Sequence, residues 1–167
     1  MRERLMMVGI LMVFLLGMAG GAPAQNNKIL DSISVSEMAA ILKEDGITFE
    51  LAKDRFGEPL FYFKLGGRVS GYKVGLVFYR ANADNSRYSE IQLRSGFANS
   101  DSFVSMERIN EWNGRMRFCY AFMQPADKSI IIKYDINLKG GVSDKNIIEF
   151  IEIFEKSLLN FISFCSK

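Results

Sequence analysis

Apolar residues recur at two periods along this chain, and each change of period marks a new element. Ser34-Val-Ser-Glu37 has the S-x-x-E spacing of a capping box, and Met38, Ile41 and Leu42 form an apolar stripe behind it. This predicts a first helix that Gly46 can close. The period then falls to two. Ile47–Leu51 alternates like a strand, Asp54–Pro59 reads as a turn, and Leu60–Leu65 puts Phe61, Phe63 and Leu65 on one face before Gly66-Gly67 breaks it. Tyr72–Tyr79 places Tyr72, Val74, Leu76 and Phe78 together. Ala83–Arg87 is a polar turn, and Ser89–Arg94 turns Ile91 and Leu93 inward and Glu90, Gln92 and Arg94 outward.

A short helix follows, with Ser102 or Ser105 as its N-cap and Met106, Ile109 and Trp112 on one side. It carries the only Trp. Gly114 suits the left-handed position just past a helix, so the helix is expected to break at Asn113-Gly114 and a strand to run from Met116 to Met123. Gln124–Lys128 reads as a hairpin loop. In Ser129–Ile136, residues Ile130, Ile132, Tyr134 and Ile136 face one way. Gly140-Gly141 breaks this strand, and Ser143 caps a last helix of about 22 residues. The order α-β-β-β-β-α-β-β-α, with consecutive or hairpin-linked strands, predicts an α+β fold. Five to six antiparallel strands carry the helices on one face, and the other face is too polar to bury fully.

The last helix is more apolar than one docked face needs. At 100° per residue, Phe150, Ile151, Phe154, Leu158, Phe161, Ile162 and Cys165 span about 120° centred on the core. Ile148 and Leu159 fall on one flank of the polar strip, and Ile153 and Phe164 on the other. These four form a candidate interface with a partner, including a second copy of the chain; the competing reading is that neighbouring segments of the same chain cover them.

Arg2 and Arg4 precede the apolar run Leu5–Met18, and Ala22-Pro-Ala24 closes the segment before polar Gln25. This is the layout of a secretory signal peptide cleaved after Ala24. The expected organisation is a signal peptide over 1–24, an N-terminal extension over 25–33 and one domain over 34–167. The location is then periplasmic or secreted, and the membrane is met only through the N-terminal segment before cleavage. An uncleaved N-terminal anchor is the alternative. The whole chain holds 21 Lys and Arg against 19 Asp and Glu; losing Arg2, Arg4 and Glu3 leaves 19 against 18, a net charge of +1.

No run of five like charges occurs, so a nucleic-acid footprint is not expected. His is absent, which removes the commonest general base and metal ligand. Two Cys alone do not make a zinc site. Neither Gly pair fits a phosphate loop. Glu149 and Glu152 at i, i+3 read as a solvated face rather than an acid–base dyad. The chain is therefore expected to be non-enzymatic, with no cofactor or metal. Export to an oxidising compartment invites a Cys119–Cys165 disulfide. Cys119 lies opposite Phe118 and Tyr120 in its expected strand; if those aromatics face the helices, it cannot reach Cys165.

Asn110-x-Trp112-Asn113, then Arg117-Phe118, then Asp135–Val142 with its Gly140-Gly141 pair, resembles the YbjN family over roughly residues 34–165. The resemblance implies the fold of type III secretion chaperones, often dimeric, and a regulatory or chaperone-like role in sensory transduction. The signal peptide departs from a secretion chaperone's cytosolic work. The motif residues themselves read as structural, with Asn113 capping its helix and Asn110 tying it to nearby backbone. Two functions from different classes follow: a protein-interaction module, with a homodimer as one form of it, and a periplasmic binder of a small apolar ligand, suggested by the 14 Phe and 6 Tyr.

Overall fold

The computed structural model describes residues 28–64, 72–99 and 104–166. Its elements run β1 (Ile29–Leu30), α1 (Val35–Glu44), β2 (Phe49–Lys53), β3 (Pro59–Lys64), β4 (Lys73–Ala81), β5 (Tyr88–Phe97), α2 (Met106–Arg115), β6 (Tyr120–Met123), β7 (Ile130–Asn137), β8 (Val142–Ser143) and α3 (Asp144–Cys165). The fold is α+β, as expected. Six antiparallel strands lie in the order β2-β3-β4-β5-β7-β6, and β1 pairs separately with β8. The signal-peptide segment, Gly66-Gly67 and the alternative cap Ser102 lie outside the described residues.

Helix ends follow from their side chains. Ser34 and Glu37 form the reciprocal capping box at α1. At its other end the Ile47 N–H donates to the Leu42 carbonyl and the Gly46 N–H to the Lys43 carbonyl. This paired closure needs a left-handed residue, and Gly46 supplies it at φ 75. Ser105 accepts from Arg108 N–H to start α2, and Ser143 accepts from Asn146 N–H to start the 22-residue α3.

Three boundaries depart from the sequence reading. Residues from Lys28 belong to the fold rather than to an extension: Leu30 and Ile33 are buried, and Ile33 exchanges both backbone hydrogen bonds with Tyr88. Helix α2 passes through Gly114 and ends after Arg115, which pairs with Glu111 one turn back. The left-handed residue falls later, at Phe118 (φ 71). There the Cys119 N–H donates to the Arg117 carbonyl at 2.8 Å, the i→i+2 bond of a γ-turn. The next strand therefore starts at Tyr120, not Met116.

Strand register assigns the faces. Phe61, Leu76, Leu93 and Tyr134 are successive cross-strand partners, as are Phe78, Ile91 and Ile136. These residues share one core cluster with Met38 and Leu42 of α1, Ile109 and Trp112 of α2, and Ile147, Ile151, Phe154, Leu158 and Phe161 of α3. Trp112 meets Phe161 edge to face at 4.9 Å, and Phe161 stacks on Phe97 at 5.6 Å. The helices thus lie on one face, and no described helix lies on the other.

Candidate functional site

The helix-free face is less polar than its alternation predicts. Leu60 and Val77, directly paired across β3 and β4, are fully buried yet lie outside the helix-side cluster. Local packing explains this. Gly75 leaves room for its neighbours: a Cβ there would meet Leu60 Cδ1 at 3.3 Å, and Arg94 Cγ and Tyr62 Cε1 at 3.5 Å. Gly96 does the same for Ile131, whose Cδ1 would lie 2.8 Å from a Cβ. Two glycines thus let a layer of larger side chains lie flat on the strands.

That layer encloses a groove of about 530 Å³. Leu60, Tyr62, Tyr79, Arg94, Phe122, Ile131 and Lys133 line it from the sheet, with Lys53 at the end of β2 and Asp54, Arg55 and Phe56 from the β2–β3 turn. Asp54 builds the turn: its Oδ1 accepts from the N–H groups of Phe56 and Glu58 at 2.8 and 3.1 Å. Phe56 is left 74% exposed, with the Arg55 guanidinium 4.7 Å from its ring centre. Lys133 sits over Phe122 at 4.9 Å. Among the described residues Arg94 has no ion-pair partner. Four cations thus line the groove against one carboxylate already engaged by backbone.

Beside the groove runs a polar relay. Gln92, only 6% exposed, donates through Nε2 to Asp135 Oδ1, and the Tyr120 hydroxyl donates to Asp135 Oδ2 at 2.9 Å. Burial, the Asp135 bond and the nearby charge of Asp135 push the Tyr120 hydroxyl up to about 12. Gln92 Oε1 is buried with no hydrogen-bond partner among the described residues, an arrangement that ordinarily costs about 1–3 kcal/mol.

The residues singled out from sequence do not converge on this face. Asn113 does not cap α2. Its amide pairs with Ala121, Oδ1 accepting from the backbone N–H and Nδ2 donating to the carbonyl, both at 2.9 Å. It thereby satisfies the outer edge of β6. Asn110, by contrast, is exposed. Trp112 is fully buried, and its Nε1 has no hydrogen-bond partner among the described residues. Arg117 and Phe118 form the γ-turn, with Phe118 62% exposed. Gly140 and Gly141 take φ 93 and 99 to turn β7 into β8, and a Cβ on Gly141 would meet Ile29 at 2.8 Å. The motif holds joints of the fold.

On the α3 flanks, Ile148, Ile153, Leu159 and Phe164 are each half-buried and packed against the core. The Phe164 ring lies 5.6 Å from Trp112 and 3.8 Å under the Arg108 guanidinium. Cys119 and Cys165 are free thiols. The γ-turn sends Phe118 outward and Cys119 into the core, beside Ser157 of α3. Ser157 precedes Cys165 by eight residues of α3, roughly 12 Å of helix, so no bridge forms. Glu149 and Glu152 are exposed, and Glu152 pairs with Lys156 at 3.6 Å. Among the described residues no cluster of ligands suits a metal ion, and no helix is long and apolar enough to cross a membrane.

The groove residues were signalled only by runs apolar at both parities: Leu76-Val77-Phe78, Ile130-Ile131-Ile132 and Tyr120–Met123. A strand with one dry face does not need them, and their second parity supplies the open-face layer.

An antiparallel sheet backed by three helices, with a basic and aromatic groove on its bare face, defines an open-faced α+β module. The family profile described as "YbjN: Putative bacterial sensory transduction regulator" matches residues 34–166, and the chain belongs to that family. No curated protein matches the chain.

Proposed function

We propose that this chain is an exported, non-enzymatic regulator that acts by binding another protein, with a chaperone-like hold on its partner. One observation carries the reading: the bare sheet face presents an aromatic and basic groove that no described element covers. Tyr79 and Tyr120 are 39% and 41% exposed there, and Tyr and Arg are the residue types that anchor protein interfaces. Family membership supports a regulatory role. Cleavage after Ala24 delivers the module to the periplasm or the exterior. The small apolar ligand gains no support from this groove, because four cations line it. Nucleic acid is not a partner in this reading, and homodimer formation is one way the face can be used.

A photo-crosslinking amino acid in place of Tyr79, with one in place of exposed Glu152 as control, tests this in the native host. Position 79 should give discrete protein adducts and position 152 none. Equal labelling at both, or none at 79, rejects the bare face as the binding surface. Intact mass of the recovered protein tests export: retention of residues 1–24 rejects cleavage.

A further inference from the structure

We infer that the groove on the bare face takes a short acidic segment of the partner chain, with Asp or Glu beside an aromatic or aliphatic anchor. This rests on the protein-binding reading above. The charge pattern identifies the occupant. Lys53, Arg55, Arg94 and Lys133 all line the groove, and Asp54 is the only acid among its lining residues. The Asp54 oxygen is held by two backbone N–H groups, and both oxygens of nearby Asp135 are taken by Gln92 and Tyr120. The acids at hand are therefore committed internally, while Arg94 lacks an ion-pair partner among the described residues. A whole-chain charge of +2 does not require such a cluster.

The apolar half of the preference comes from the walls. Leu60, Tyr62, Phe122 and Ile131 offer contact surface between the cations. The groove's 530 Å³ falls within the range of sites that hold drug-sized ligands, enough for a few residues. Arg94 can engage a carboxylate bidentately, whereas Lys133 acts as a point charge. A basic or neutral segment would leave these cations desolvated without compensation.

A displayed random-peptide library selected against the protein as recovered from its host tests the inference. Selected peptides should carry at least two Asp or Glu residues beside an aromatic or aliphatic one. Arg94→Met with Lys133→Met should weaken them about tenfold or more. Lys128→Met with Lys139→Met, an equal charge change outside the groove, should not. Tyr79→Ala provides a second groove variant that leaves the cations in place and should also weaken binding. Selected peptides that are neutral or basic, or that keep wild-type affinity for the Arg94/Lys133 variant, overturn the acidic-segment assignment and leave protein binding standing. If no peptide binds more tightly than about 1 mM, both readings fall. Phosphatidylserine-containing vesicles that displace the peptides and bind through the same two cations would overturn the inference in favour of a membrane surface.

Discussion

Asn113 holds Ala121 by both its backbone groups, as a neighbouring strand would, although it projects from a helix. β6 is the edge of the sheet, and an unpaired edge is a template for unwanted pairing. Asn113→Ala removes two hydrogen bonds worth about 1 kcal/mol each. It should lower stability by about 2 kcal/mol in urea unfolding. Asn113→Asp keeps the acceptor and loses the donor, so it should fall between the two. Wild-type stability for Asn113→Ala would mean the pairing contributes nothing.

Phe118 occupies a left-handed conformation that costs an ordinary residue about 1–2 kcal/mol. Its side chain is mostly exposed, with its ring 6.2 Å from that of Tyr134 and 5.8 Å from the Arg117 guanidinium. Phe118→Gly should therefore match or exceed wild-type stability. Phe118→Val, β-branched at positive φ, should be less stable than the Gly variant by about 2 kcal/mol. Val equal to Gly in chemical denaturation would show that this backbone carries no strain.

These two residues also mark where sequence stops being legible. The caps at Ser34 and Ser143, the 22 residues of α3 and the inward parity of Phe61, Leu76 and Ile91 depend on local spacing, and all could be read directly. The left-handed residue near α2 could not. Gly114 is the local favourite for it, but the fold needs the reversal later, so that Cys119 enters the core. Asn113 looks like a cap because caps are local, and its real partner is eight residues away on an edge strand. The bare face was hidden for a similar reason. Gln92 alternates as an outward residue, yet it is buried between Val77 and Asp135, its partners on the neighbouring strands.

Both cysteines should titrate as free thiols under denaturant, two per chain, even in material from an oxidising compartment. In the native state Cys165 should alkylate before Cys119. Burial pushes both thiols up, but Cys119 is buried and Cys165 only half so. Fewer than two thiols in denaturant, or Cys119 reacting first, would reject this placement.

The Tyr120–Asp135 pair should appear in an alkaline titration followed by absorbance of tyrosinate. Burial and the Asp135 carboxylate favour the neutral phenol, so Tyr120 should ionise near pH 12 rather than 10. A raised folded-state pKa contributes stability below pH 10 that is lost as pH climbs from 10 to 12. Asp135→Asn should bring the last tyrosine step down and shrink that alkaline loss. An unchanged titration in Asp135→Asn would show that the carboxylate does not control Tyr120.

Phe164 decides whether the second apolar flank of α3 serves this chain or another. Arg108 binds it twice. The guanidinium lies over its ring at 3.8 Å, and Nη2 donates to its carbonyl at 2.6 Å while Nη1 holds Glu111 at 2.9 Å. The Trp112 ring lies 5.6 Å from that of Phe164. The ring thus clamps α3 to α2. Removing a half-buried phenyl costs about 2 kcal/mol, and the cation–ring contact adds about 0.5–1 kcal/mol. Phe164→Glu should accordingly melt well below wild type while keeping the same mass by light scattering. Arg108→Met should lose only the smaller part. If Phe164→Glu melts like wild type but changes the mass, the flank faces a second copy, and the clamp between α2 and α3 is not what fixes it.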